Sequence, residues 1–201
     1  TGIELVETTG NMSNAANHMD YAGSEWRIGD TLQAAIGQSD SVFTPLQLAE
    51  YCAAVANNGE RHSASILKSI RNYDYSEKVY ERQDEVLSTV ESPQYNWDAI
   101  HEGMKEVINS PLNETNYLNF YDCAVTVAGK TGTAQKGEGI KNDGLFICYA
   151  PYEDPEIAVA VVVERGHAGA SVGFIARQIV DVYLNIRSYS NTSESEMSLL
   201  K

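Results

Sequence analysis

Apolar residues follow a helical period in some stretches of the chain, alternate or run together in others, and near its start do neither. Residues 1–40 are rich in Gly, Asn, Ser and Asp and read as mostly irregular structure. The first well-specified element comes next. Thr44 is a good N-cap, Pro45 stands at the first helical position, and Gln47 completes a Thr-x-x-Gln capping box. Phe43 and Leu48 are spaced for a hydrophobic staple. The helix carries Leu48, Tyr51, Cys52 and Val55 on one face and stops at Asn58-Gly59, which favours a left-handed cap. From 61 to 95 the pattern is short and mixed, with strand-like pieces at Ser65–Ile70 and Lys78–Tyr80. A second helix is expected from Trp97 to Asn109, striped by Trp97, Ile100, Met104, Val107 and Ile108, and Ser110-Pro111 ends it.

The last third reads as strands and then a helix. Cys123–Gln135 is the first strand, and a glycine-rich excursion from Gly137 to Gly144 follows it. Leu145–Ala150 and Glu156–Glu164 are apolar enough for buried strands, and the Pro/Asp turn between them makes an antiparallel hairpin. Val172, Ile175, Ala176, Ile179, Val182, Tyr183 and Ile186 mark an amphipathic helix ending near Arg187. The Ser-rich stretch 188–201 is expected to be a disordered tail. No internal repeat is present. The fold class is α+β, with helices first, then three strands and a packing helix.

Composition narrows the partners more than the fold. The 201 residues suit one domain, and 43% hydrophobic with 21% charged is a globular balance. A net charge of -14 argues against nucleic acid or an anionic membrane surface as a partner. No apolar run approaches the roughly 20 residues that span a bilayer, and no signal-peptide pattern opens the chain. The chain starts at Thr1 without a Met, which suggests a piece of something longer. Cys52, Cys123 and Cys148 form no Cys-x-x-Cys pair, and His18, His62, His101 and His167 lack ligand spacing. Neither a metal nor another cofactor is expected.

The stretch that packing does not explain is Lys130-Thr131-Gly132-Thr133. Alternation puts Thr131 and Thr133 on one side of a strand and Lys130 on the other, its stem long enough to reach a neighbouring site. Gly132 weakens a strand, so its use is to let another backbone come close. An ammonium, two hydroxyls and open backbone amides suit an extended substrate that bears a carboxylate. A solvated edge strand with chance Lys and Thr is the plain alternative.

Lys-Thr-Gly is also one of three motifs of the serine penicillin-binding and β-lactamase group. The run Ala128 to Gln135, Leu145-Phe146, Tyr149-Ala150-Pro151 and Pro155 to Val161 resembles the end of a class B penicillin-binding protein. Gly29-Asp30-Thr31, Ile36-Gly37-Gln38 and Thr44-Pro45-Leu46-Gln47 resemble the segment that family carries before its long helix, and Thr1 to Leu5, Trp97 and Gly103-Met104 match as well. The resemblance covers residues 1–187. It implies the C-terminal part of a D,D-transpeptidase domain, a partial penicillin-binding/β-lactamase-like fold holding the last three strands of a five-stranded sheet. In that family a serine attacks the D-Ala-D-Ala carbonyl of a peptidoglycan stem peptide, forms an acyl-enzyme and passes the acyl group to a second stem; β-lactams acylate the same serine. By resemblance Lys130 serves the electrostatics and proton relay beside the nucleophile. Thr131, Thr133 and Gln135 bind substrate, the Thr133 N–H is one arm of the oxyanion hole, and Gly132 permits close approach.

The nucleophile itself does not fit. Ser65-Ile66-Leu67-Lys68 follows a helix stop and lies in a strand-like stretch, whereas a catalytic Ser-x-x-Lys needs the start of a buried helix so that the lysine meets the serine one turn on. Ser198-Leu199-Leu200-Lys201 comes after Lys-Thr-Gly, in the wrong order, and no Ser-x-Asn occurs anywhere. The expectation is a truncated piece, inactive alone, cut from a parent anchored in the cytoplasmic membrane with this domain outside it. The piece itself is expected to be soluble, with cell-wall synthesis proteins as partners of the parent and unpaired strand edges that favour self-association. A serine β-lactamase, a penicillin sensor and a non-catalytic peptide-binding module are the rival readings.

Overall fold

A computed structural model describes residues 1–137 and 139–193, of which 186–193 are described in backbone only. Its centre is an antiparallel sheet of β5 (Ala128–Ala134), β6 (Asp143–Ala150) and β7 (Ile157–Val163), in the order β5-β6-β7. The register is unbroken, from Ala128 opposite Tyr149 to Ala134 opposite Asp143, and from Gly144 opposite Val163 to Ala150 opposite Ile157. β6 is apolar at successive positions because both its faces are covered. Phe146, Cys148 and Ala150 face one cluster with Val159, Val161, Val172, Ala176 and Val180. Tyr149 joins the other, with Cys52, Val55, Ala56, Met104 and Ala128. Helix α6 (Gly173–Ser193) covers the first face and helices α3 (Pro45–Ala56) and α4 (Gln94–Asn109) the second.

Local signals set the helix ends. The Thr44 hydroxyl accepts from the Gln47 N–H at 3.2 Å, and the Gln47 side chain accepts from the Thr44 N–H at 2.9 Å, the expected capping box. Asn58 and Gly59 both have positive φ, and the Gly59 N–H closes on the Ala54 carbonyl at 2.8 Å. At the far end of α4, Ser110 turns extended before Pro111. Trp97, Met104 and Ile108 of its stripe are buried, while Ile100 is exposed.

Several expectations need correction. Within 1–40 two helices form, α1 (His18–Ala22) and α2 (Ile28–Ala35), where irregular structure was expected. Tyr51 is exposed on α3, so the buried face of that helix is Cys52, Val55 and Ala56. Residues 60–90 make two small sheets, β1 (Glu60–His62) with β4 (Val86–Thr89), and β2 (Ser69–Arg71) with β3 (Lys78–Glu81). β5 starts at Ala128 rather than Cys123, and a further helix, α5 (Glu114–Phe120), stacks Phe120 on Phe146 at 5.7 Å. Arg177 of α6, held by Asp181 of its own helix at 2.8 Å, ties the two helices by bonding the Asn119 carbonyl of α5 at 3.2 Å and Asp122 just beyond it at 2.6 Å. α6 continues to Ser193, past Arg187, and buries Ala176 and Val180 while Ile179 and Val182 are exposed. The rest of the expected tail, 194–201, lies outside the described residues. No described helix is long and apolar enough to cross a membrane.

Candidate active site

Three hydrogen bonds show which way β5 faces. The Val127 carbonyl accepts from Asn109 Nδ2 at 2.9 Å, the Thr131 carbonyl from Lys130 Nζ at 2.8 Å, and the Thr133 carbonyl from Gln38 Nε2 at 2.9 Å. All three donors are side chains, so these odd-numbered carbonyls point away from β6. In a strand the N–H and C=O of one residue point the same way. The N–H groups of Thr131 and Thr133 therefore also lie on the open edge, while those of Lys130 and Gly132 serve the ladder to β6.

The side chains divide as the alternation predicts. Thr133 lies on the face covered by a 3₁₀ turn at Gly169–Val172, and its Oγ1 accepts from the Gly169 N–H at 3.3 Å. Lys130 springs from the other face, is exposed, and curls back so that its ammonium meets the edge. Among the described residues Lys130 enters no ion pair, which leaves a positive charge beside the edge of a chain whose net charge is -14. Thr131 is half-buried and Gln135 is exposed just past the strand end.

Gly132 does lie under a closely approaching backbone, but one belonging to this chain. A Cβ on Gly169 would stand 2.2 Å from the Leu145 carbonyl oxygen, 2.4 Å from that of Gly132 and 2.6 Å from its nitrogen. Only glycine fits at 169, and its backbone rests directly on the middle of the Lys-Thr-Gly strand. A Cβ on Gly132 would meet the Leu145 side chain at 3.2 Å, a milder crowding.

A second support lies at the mouth of the β5–β6 connection. Asp143 is buried, accepts from Lys136 Nζ at 2.7 Å and from the Arg165 N–H at 2.9 Å, and so ties the β5 exit and the loop after β7 to the start of β6. The Lys136 ammonium first, and then the Arg165 amide, hold the Asp143 carboxyl below its ordinary range.

The structure thus brings Lys130, Thr131, Gly132 and Thr133 to one edge, with Gln135 at its end. The Ser-x-x-Lys string at Ser65 does not join them. Ser65–Lys68 is irregular, with Ser65 Oγ bonded to Glu4, and does not open a helix. Ser198–Lys201 lies outside the described residues. Among the described residues no group of three or more His, Cys, Asp or Glu could hold a metal ion. Reading the residues singly missed Gln38, Asn109, Asp143 and Gly169, because each acts on backbone or charge far away in sequence. Only Gln38 carried a signal, inside the Ile36-Gly37-Gln38 string.

Comparisons with known proteins agree with this geometry. The peptidoglycan D,D-transpeptidase MrdA of Haemophilus influenzae is 32% identical, over 93% of this chain and 31% of that protein. Penicillin-binding protein A of Mycobacterium tuberculosis, solved as an imipenem acyl-enzyme complex, superposes with a TM-score of 0.68 at 27% identity, over 79% of this chain and 34% of that one. The Helicobacter pylori complex between penicillin-binding protein 2 and MreC matches with a TM-score of 0.74 at 26% identity, over 92% of this chain and 33% of that one. The chain spans about a third of the length of such relatives. The β-lactamase, sensor and simple peptide-binding readings find no support among these relatives. Residues 3–181 match the penicillin binding protein transpeptidase domain, and the chain belongs to that family.

Proposed function

We propose that the open edge of β5 is the substrate-binding wall of a serine D,D-transpeptidase that cross-links peptidoglycan stem peptides and is acylated by β-lactams. The observation that carries this reading is the pair of outward N–H groups at Thr131 and Thr133, flanked by the Lys130 ammonium and the threonine hydroxyls. An extended stem peptide pairs with the edge as an added strand. Its terminal carboxylate is held by the hydroxyls of Thr131 and Thr133 and by Gln135.

The reaction is acyl transfer. A serine oxygen adds to the penultimate D-Ala carbonyl, and the negative charge that develops on the carbonyl oxygen is met by the Thr133 N–H. The C–N bond to the terminal D-Ala breaks, and the departing amine takes the proton lost by the serine. An amine of a second stem then attacks the ester, forms the cross-link and returns the proton to the serine. Lys130 stabilises the anionic groups and the proton relay beside that serine. The serine is supplied by sequence outside these 201 residues, and the piece alone is inactive. The parent is placed at the outer face of the cytoplasmic membrane, among other cell-wall synthesis proteins, by the same reading. Among the described residues β7 pairs with β6 alone, and its outer edge is the natural seat of self-association in the isolated piece.

Fluorescent penicillin and the full-length parent give the test. Wild type becomes covalently labelled, and Lys130→Ala slows acylation by about 100-fold or more, the scale of a lost proton-transfer group. Labelling of Lys130→Ala at the wild-type rate contradicts the role given to Lys130.

A further inference from the structure

Little covers the β2–β3 hairpin: all four residues of β3 are exposed, and so are Ile70 and Arg71 of β2. Its turn is nevertheless braced. Asn72 Oδ1 accepts from the Glu77 N–H at 3.1 Å, and Asn72 Nδ2 donates to Ser76 at 3.0 Å. Arg71 Nη1 donates to the Tyr75 carbonyl at 3.1 Å. Tyr75 is held at positive φ, a conformation that a bulky residue adopts only under constraint. These bonds present two tyrosines to solvent. Tyr73 is 100% exposed and Tyr75 74%, and Tyr80 stands across from Ile70 on the strands behind them.

The charge of the hairpin is as uneven as its covering. Lys68, Arg71, Lys78 and Arg82 are four of the 14 basic residues in a chain of net charge -14. Arg71 stands directly across from Lys78 in the ladder, a pairing of like charges that weakens a strand pair. Glu81 accepts from the Lys78 ammonium at 2.6 Å. That bond first, and then the charges of Lys78, Lys68 and Arg71, hold its carboxyl below the ordinary range. Three cations thus converge on one carboxylate. The other acids of the turn are Asp74, whose carboxylate accepts from the Ser76 hydroxyl at 2.7 Å, and Glu77. Among the described residues Lys68 and Arg71 enter no ion pair.

Exposed aromatic rings beside a surplus of positive charge fit a ligand that is amphipathic and anionic at once. A pyranose ring lays its C–H face on an aromatic ring while its hydroxyls stay in water. We propose that the β2–β3 hairpin binds the glycan strand of uncross-linked peptidoglycan. Tyr73 and Tyr75 stack on its sugar rings, and Lys68 and Arg71 meet the carboxylates that its stems carry. The inference rests on the transpeptidase reading above and deepens it, because the polymer that bears the stem gains a seat on a separate element. A strand held there raises the effective concentration of its stems at the β5 edge. Reaction with a small penicillin gains nothing from it.

The test uses the full-length parent, first acylated with penicillin so that the β5 edge is filled. Its binding to soluble, uncross-linked glycan strands is measured by surface plasmon resonance. A neutral chitin oligosaccharide supplies sugar without charge, and polyglutamate supplies charge without sugar. Tyr73→Ala weakens strand binding about three- to tenfold, the scale of one lost aromatic contact. Lys68→Gln weakens it about two- to fivefold, and added salt erases that difference. Neither control binds as tightly as the strands. Melting temperatures and rates of fluorescent penicillin acylation stay at wild-type values in both variants. Wild-type affinity in both variants overturns the inference, as does a wild type that binds no strands. So does a control that binds as tightly as the strands, or a loss matched by a lower melting temperature. Wild type that takes no penicillin overturns the transpeptidase reading instead, and that outcome is recognisable before any strand is added.

Discussion

Residues 1–43 and the β5–β7 sheet are held together by opposite means. Between residues 1 and 43 the only buried positions are Asn11 and His18, both polar. Ile28, Leu32 and Ile36, one stripe along α2, are 85%, 68% and 73% exposed. The segment keeps its shape through long-range polar bonds: Asn11 and His18 to Asp40, Gln47 to the Thr8 carbonyl, and Gln38 to Thr133. In the sheet the apolar side chains of β6 are buried on both faces, and the polar groups cluster at one edge and one mouth. The apolar core supplies stability to the strand that bears Lys-Thr-Gly, and the polar segment supplies the groups that dress its edge.

The comparison breaks most sharply in the core. Phe146→Ala removes a fully buried ring that stacks on Phe120, and about 3–5 kcal/mol of stability goes with it in urea unfolding. A loss under 1 kcal/mol would mean that the sheet is not the main source of stability. Next comes Gly169→Ala. Backbone atoms of Gly132 and Leu145 cannot yield to a methyl group as a side chain end can, so the cost is about 1–3 kcal/mol, with β5 displaced. Penicillin acylation of the parent should fall in step, whereas Gly132→Ala costs less. The reverse ranking would show that the turn does not rest on the strand as described.

The polar segment should respond differently. Asn11→Ala leaves partly buried partners at Asp40 and Asn17 unsatisfied and costs about 1 kcal/mol, and it should loosen the Gln38 loop, detected as faster amide exchange at 36–42. Exchange at 36–42 equal to wild type would detach Gln38 from the Asn11 and Asp40 network. The smallest effect is that of pH on Asp143. A carboxyl held below its ordinary value of 3.8 adds stability above that pH and loses it as the pH falls through the folded value. The gap in urea midpoint between wild type and Asp143→Asn should therefore be level from pH 8 to 5 and close below about 3.8. A gap that persists unchanged to pH 3 would assign it to packing rather than to charge.

The same division explains what could be read from the sequence. The capping box at Thr44, the stop at Asn58-Gly59, the hairpin across Pro151–Pro155 and the burial of β6 rest on neighbours in sequence or on apolar period, and all were legible. α2 was not, because its apolar stripe faces out and its N-terminus lacks a hydroxyl cap, with only the Asp30 carboxylate accepting from the Arg27 N–H. Cys123–Val127 reads as strand, yet its backbone is met by the Asn109 side chain at Val127 and by the Tyr152 N–H at Thr126 in place of a ladder. The threonines and lysine of the site were visible because a strand has little packing use for them. Gln38 and Gly169 act on carbonyls and peptide planes, and nothing periodic announces that.

The central claim is that the β5 edge is one wall of an acyl-transfer site whose serine lies outside these 201 residues. The most direct measurement is peptide mass mapping of the full-length parent after reaction with penicillin. The account predicts one acylated serine, opening a Ser-x-x-Lys in sequence other than residues 1–201. Acylation at Ser65, Ser198 or any other serine of this chain, or no acylation at all, would contradict it.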